Sequence, residues 1–219
     1  MSKILISGCG ITFSGERPTW SKVLRIAGYD ITDLSGPAIS NQLILNQLLQ
    51  ELHCNKYDHV VCQLTSFGKL DVQLNDHNAW LKDNDSLRNF SYKGFWPSSH
   101  STEQKVKQDF QKYLYSPKLE EQDTIFKLLL LQRLCKESDT RLHIIQGYDL
   151  PWTDPLIDKL DFDKSFNIYG WYKESEHYAS HDHSGKNTVP SKDFQIKLAR
   201  FIAEKYLKDV KIKLERFDG

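Results

Sequence analysis

The first third of the chain alternates short apolar runs with longer periodic ones. Lys3–Ser7 (KILIS) is brief, apolar and stopped by Gly8, the pattern of a buried strand. Thr19–Ala27 places Trp20, Val23, Leu24 and Ala27 on one face of a predicted helix. Tyr29–Leu34 reads as a second strand. Ile39–Leu52 reads as a second helix, with a broad apolar face from Ile39, Leu43, Leu45, Leu48, Leu49 and Leu52. His59–Leu64 (HVVCQL) is a third buried strand. A β-α-β-α-β order at this spacing predicts a mostly parallel sheet with helices on both faces, a three-layer α/β/α sandwich of about five strands. Ligands of such sheets bind at the carboxyl ends of the strands. Gly8–Gly15, Ser35–Asn41 and Thr65–Asp71 fall there.

From Ser66 to Lys118 the rhythm breaks. This stretch is polar and aromatic, with at most one short helix at Thr102–Leu114. A long irregular insertion over the carboxyl edge usually has a role, so residues 66–118 are expected to form a lid-like insertion within one domain spanning 1–219. Leu119–Glu137 is a strong helix, Arg141–Gln146 (RLHIIQ) a fourth strand and Asp149–Asp163 a loop. Phe166–Tyr169 is expected as a short fifth strand. Ser191–Leu207 is a closing amphipathic helix with Ser191 as its N-cap.

Composition narrows the function classes. Hydrophobic residues make up 39% and charged residues 26% of 219, an ordinary mix for one sizeable domain. Lys+Arg and Asp+Glu both number 29, so no global basic field points to nucleic acid or to a membrane surface. The opening MSKILISG enters a strand pattern directly and does not read as a secretory signal. The longest apolar run, Leu128–Leu131, is far short of the ~20 residues of a membrane span. Cys9, Cys54, Cys62 and Cys135 are widely spaced, which favours reduced thiols in a cytoplasmic protein over disulfides or a zinc site. No cofactor or metal is expected.

Four short blocks carry a family resemblance. Gly8-Cys9-Gly10-Ile11-Thr12 closes the first strand, and Ser35-Gly36-Pro37-Ala38 follows the second. Gln63-Leu64-Thr65-Ser66 closes the third, and Val189-Pro190-Ser191 with Ala199 opens the last helix. In this order they resemble the blocks of the SGNH (GDSL) hydrolases, three-layer α/β/α esterases and acetylhydrolases. The resemblance spans roughly Lys3–Tyr206. It implies that Gly10 stands where the nucleophilic serine belongs and Val189 where the catalytic histidine belongs. Lys186 or Asn187 then takes the place of the aspartate, Gly36 or Ala38 that of an oxyanion-hole glycine, and Ser66 that of an oxyanion-hole asparagine. A glycine has no nucleophile and a valine accepts no proton, so the Ser–His–Asp mechanism is lost.

Other residues could substitute. Cys9 adjoins the lost serine, although its side chain should point away from that of residue 10 and a small buried residue is the plainer reading. Thr12 and Ser66 supply hydroxyls. His181-Asp182-His183 lies just before the fourth block, where His183 could act as a displaced base oriented by Asp182. Within the insertion, Arg88 could clamp an anion and His100 could pair with a neighbouring serine. Gly8, Gly10, Ser40, Asn41 and Thr65 complete the expected ligand-binding set. The aromatic residues of the insertion, Trp80, Phe90, Tyr92, Phe95 and Trp96, would suit sugar rings.

Three function classes follow. The chain is a diverged hydrolase-like enzyme acting on an acyl ester or carbohydrate through a non-standard site. Alternatively it is a catalytically inactive binding protein for a carbohydrate or small anion. The third class, a nucleotide-binding module suggested by Gly8-x-Gly10, is weakened by Phe13 in place of a third glycine and by the delayed helix.

Overall fold

The computed structural model describes residues 2–9, 19–36, 39–67, 70–73, 92–95, 115–174 and 192–208. Strand β1 spans Lys3–Ser7, β2 Asp30–Asp33, β3 His59–Leu64 and β6 Arg141–Gln146. They form one parallel sheet in the order β2-β1-β3-β6. Ile4 pairs with Ile31 on one side and His59 on the other, and Cys62 pairs with Ile144. The fold is therefore α/β, with a four-stranded parallel sheet among the described residues.

Helices cover both faces because the strands are apolar on both faces. On one face Ile4, Ile6, Val61 and Ile145 pack against helix α1 (Trp20–Ile26), helix α4 (Ile168–Glu174) and helix α5 (Lys192–Tyr206). On the other, Leu5, Val60, Cys62, Leu64 and Ile144 pack against helix α2 (Asn41–Cys54) and helix α3 (Pro117–Glu137). Period-two alternation along each strand sends successive side chains to opposite clusters.

The helix starts are chemically marked. Thr19 caps α1 by accepting from Lys22 N at 3.3 Å, and Ser40 caps α2 by accepting from Leu43 N at 3.2 Å. Ser116 caps α3, whose first residue is Pro117, where the missing N–H costs nothing. Trp20 N donates to Gln195 Oε1 at 2.8 Å, joining α1 to α5.

Three sequence expectations need correction. Phe166–Tyr169 is not a fifth strand. Asn167 makes one parallel bridge with Gln146, and the chain then enters α4. The local reason is the Asn167 side chain, whose Oδ1 accepts from Gly170 N at 2.6 Å and closes a turn. The expected loop 149–163 contains a 3-10 turn at Pro155–Lys159, capped by Asp154. The insertion, expected to hold no strand, contains an antiparallel pair, β4 (Leu70–Gln73) with β5 (Tyr92–Phe95), in the register Leu70 to Phe95. The helix expected at Thr102–Leu114 lies outside the described residues. Among those residues, no helix is long and apolar enough to cross a membrane.

Candidate functional site

The carboxyl ends of β1 and β3 are where the chain's crossovers part: β1 leads through α1 to β2 on one side, and β3 leads through α3 to β6 on the other. Ligands of parallel sheets gather at such a point. The turn after β1 is held by backbone bonds. Gly36 N donates to Gly8 O at 3.1 Å, and Cys9 bridges to Gly36. Across the sheet, Gln63 Nε2 donates to Cys9 O at 3.0 Å. Ser7 Oγ donates to Gln47 Oε1 of α2 at 3.3 Å.

The sequence-predicted residues separate sharply. Cys9 is 3% exposed and belongs to the apolar cluster of Leu5, Ile39 and Leu43. Its thiol therefore packs as a small core group, away from the solvent edge. Asn41 and Thr65 are fully buried and hold each other: Asn41 Nδ2 donates to Thr65 O at 2.9 Å, and Thr65 N donates to Asn41 Oδ1 at 2.7 Å. The Ser40 hydroxyl is engaged in capping α2. These three polar groups serve the scaffold. Gly8 contributes its carbonyl to Gly36, and Ser66 is half-buried just past β3. Gly10, Thr12, Arg88, His100, Asp182 and His183 lie outside the described residues, as do Pro37, Ala38, Lys186, Asn187, Val189 and Ser191.

Several further residues shape this edge. Ser35 is 4% exposed and its Oγ has no hydrogen-bond partner among the described residues, while its amide donates to Asp33 Oδ1 at 2.9 Å. Asp33 Oδ2 also accepts from Ser21 Oγ at 2.5 Å. At the end of β6, Gly147 N donates to Leu64 O at 2.7 Å. A Cβ at Gly147 would sit 2.7 Å from that same oxygen, so the close approach requires glycine. Tyr148 follows, its ring 5.4 Å from that of Tyr169. Burial raises the Tyr148 phenol above its ordinary range, and nearby Cys9 and Tyr169 raise it further. The legible signal was the dipeptide Gly147-Tyr148 at a strand end, a glycine where the chain must turn.

The loop beyond is braced from α3. Glu121, 3% exposed, accepts from the Thr153 amide, from Thr153 Oγ1 at 2.6 Å and from Asp154 N at 2.8 Å. Burial alone would raise its carboxyl, but these donors outweigh burial and hold it below the ordinary range. Trp152 Nε1 donates to Gln146 Oε1 at 2.8 Å, and the Trp152 ring meets Phe67 edge-on at 5.3 Å.

No group of three or more metal-ligating side chains occurs among the described residues. All four cysteines are free thiols, and Cys54 alone of them is exposed. The scan against protein-family models and the search of curated proteins find no match to this chain.

Proposed function

We propose that this chain is a divergent SGNH-hydrolase-like protein, a three-layer α/β/α sandwich of flavodoxin-like strand order. It binds a small ligand at the carboxyl edge without the Ser–His–Asp mechanism. The observation that carries this reading is the strand order β2-β1-β3-β6, which puts the parting of the crossovers beside the turn that starts Gly8-Cys9. Glycine at position 10 supplies no nucleophile, and the neighbouring thiol is committed to the core. The buried hydroxyl of Ser35, unpartnered among the described residues, and the half-buried Ser66 leave hydrogen-bonding capacity at the same edge.

A second reading, turnover of an acyl ester or carbohydrate by a non-standard site, is favoured by those same two hydroxyls. Two measurements separate the readings. The first is hydrolysis of short acyl esters by the native chain and by a Gly10→Ser/Val189→His double variant. Binding without chemistry predicts a silent native chain. Turnover by the native chain would replace the binding reading with the catalytic one. The second is thermal stabilisation by neutral saccharides, acetate and inorganic phosphate, compared between the native chain and Ser66→Trp. Ligand stabilisation lost in Ser66→Trp supports the carboxyl edge, and stabilisation that survives it counts against that location.

A further inference from the structure

Helix α3 is anchored along both flanks and exposed along its crest. On one flank Lys127 Nζ donates to Gln42 Oε1 of α2. On the other, Gln122 Nε2 donates to Asp154 Oδ2 at 3.0 Å and Gln132 Nε2 to the Lys159 carbonyl at 3.3 Å. Between the flanks runs a row of exposed residues: Leu119, Asp123, Phe126, Leu130, Arg133 and Glu137. The steps along this row are four, three, four, three and four residues. That is the heptad spacing, which keeps one stripe of a helix turned toward a partner helix. Leu119 is 65% exposed, Phe126 59% and Leu130 48%, and none of them belongs to either core cluster of the described residues. The charged members are tied only within the helix by the ion pairs described for them: Asp123 to Lys127 at 3.1 Å and Arg133 to Glu137 at 2.8 Å. Exposed pairs of this kind contribute little, so they exchange partners at small cost.

We infer that this crest is an interface between two copies of the chain, with the two α3 helices antiparallel about a twofold axis level with Leu128. The row is its own complement when reversed. About that axis Phe126 of each copy meets Leu130 of the other, which makes an apolar centre. Asp123 meets Arg133 on either side of it, and Leu119 lies along the stem of Glu137 at the ends. A parallel pair in register would set Asp123 against Asp123 and Arg133 against Arg133, like charge on both flanks of the apolar centre. A different partner would need a basic group opposite Asp123, an acidic group opposite Arg133 and apolar groups between. A second copy supplies all of these at the correct spacing. Both copies use the same patch, so the contact closes at two. The row is about 27 Å long and has only two central apolar layers, so the dimer is a reversible one. None of the six residues lies at a strand end, and the inference stands independently of the ligand proposed for the carboxyl edge.

The test is sedimentation velocity of the full chain from about 1 to about 500 µM in low salt. Phe126→Glu, Asp123→Arg and Asp123→Arg/Arg133→Asp are run in parallel. All three changes fall on exposed positions, and melting curves confirm that each variant is folded. The native chain should pass from monomer to dimer within that range. Phe126→Glu and Asp123→Arg should each raise the midpoint concentration about tenfold or more, and the double charge exchange should return it to within about threefold of the native value. A native chain that stays monomeric to the top of the range would overturn the inference. A dimer indifferent to Phe126→Glu would place the interface on another surface and overturn it too. Weakening by Asp123→Arg that the double exchange fails to recover would overturn the antiparallel register. Growth beyond two copies would overturn the closed twofold contact.

Discussion

Replacing Asn41 tests the joint between α2 and β3 on which the whole carboxyl edge depends. Asn41 and Thr65 are both fully buried, and the amide of one answers the peptide group of the other at 2.9 and 2.7 Å. Asn41→Ala removes both interactions where water has no access. At about 1–3 kcal/mol for each of the two buried groups that lose their partner, the cost is about 2–6 kcal/mol. In a domain of this size that lowers the melting temperature by about 4–24 °C. Asn41→Asp is more diagnostic. An ionised carboxylate can accept from Thr65 N but faces Thr65 O with a second lone pair, whereas a protonated carboxyl reproduces both bonds. Burial and that carbonyl push the introduced group above the ordinary aspartate value of about 3.9. A folded-state pKa above the unfolded one places its stabilisation at low pH, and it is lost as pH rises through the folded value. The deficit of Asn41→Asp against the parent should therefore be larger at about pH 8 than at about pH 5. Thermal denaturation followed by circular dichroism at both pH values checks this. A melting temperature for Asn41→Ala within about 2 °C of the parent, or a parent–Asp difference indifferent to pH, would refute the reasoning.

Two further outcomes are expected. At the opposite end of the sheet, His59 Nδ1 and His143 Nε2 lie 3.1 Å apart, with the rings stacked at 5.4 Å; Arg141, Asp58 and Tyr206 are their charged and titratable neighbours. Burial, then Arg141, lowers His59 against a smaller opposing effect of Asp58, while burial, then His59 and Arg141, lowers His143 to about 4. Folded values below the unfolded value of about 6.5 mean stability that is present above about pH 6.5 and lost as pH falls toward 4. Denaturant titrations across that range should show the loss, flattened in His143→Phe; an equal slope in the variant would disprove the coupling. Thiol titration with a disulfide reagent should find one fast-reacting cysteine, Cys54, in the native chain and all four after denaturation. Rapid reaction of Cys9 would contradict its place in the core.

Much of the fold is legible in the sequence. β1, β3 and β6 begin and end where the apolar runs do, because a strand buried on both faces writes itself as an uninterrupted apolar segment. Helices α1, α2, α3 and α5 were located to within about two residues, since their ends depend on caps more than on periodicity. The misread elements have different causes. Phe166–Tyr169 carries strand-like aromatics, but the Asn167 side chain and Gly170 turn the chain into a helix. Leu70–Gln73 and Tyr92–Phe95 pair across a long polar interval with no tight-turn signal between them.

Position along the chain placed Cys9, Ser40, Asn41, Thr65 and Ser66 past the carboxyl ends of β1, β2 and β3, where they lie in the structure. It left open which of their polar groups remain available. The reading of Cys9 as a small buried residue agrees with its place among Leu5, Ile39 and Leu43. Tyr148 and Tyr169 gave no sign of meeting, since neither lies in a motif.

The sequence by itself determined most of the succession of elements, which strand faces are apolar, and the glycine at position 10 in the turn after β1. These are local properties, carried by periodicity and residue identity over a few positions. Only the tertiary structure decided how the polar residues at the strand ends are used. Asn41 is spent on Thr65, Gln63 on Cys9 O and Gln146 on Trp152, while Ser35 is left with a buried hydroxyl unsatisfied among the described residues. The physical reason is that a buried polar group must find its partner wherever the fold brings one. Here those partners come from other elements of the chain, beyond the reach of any local pattern.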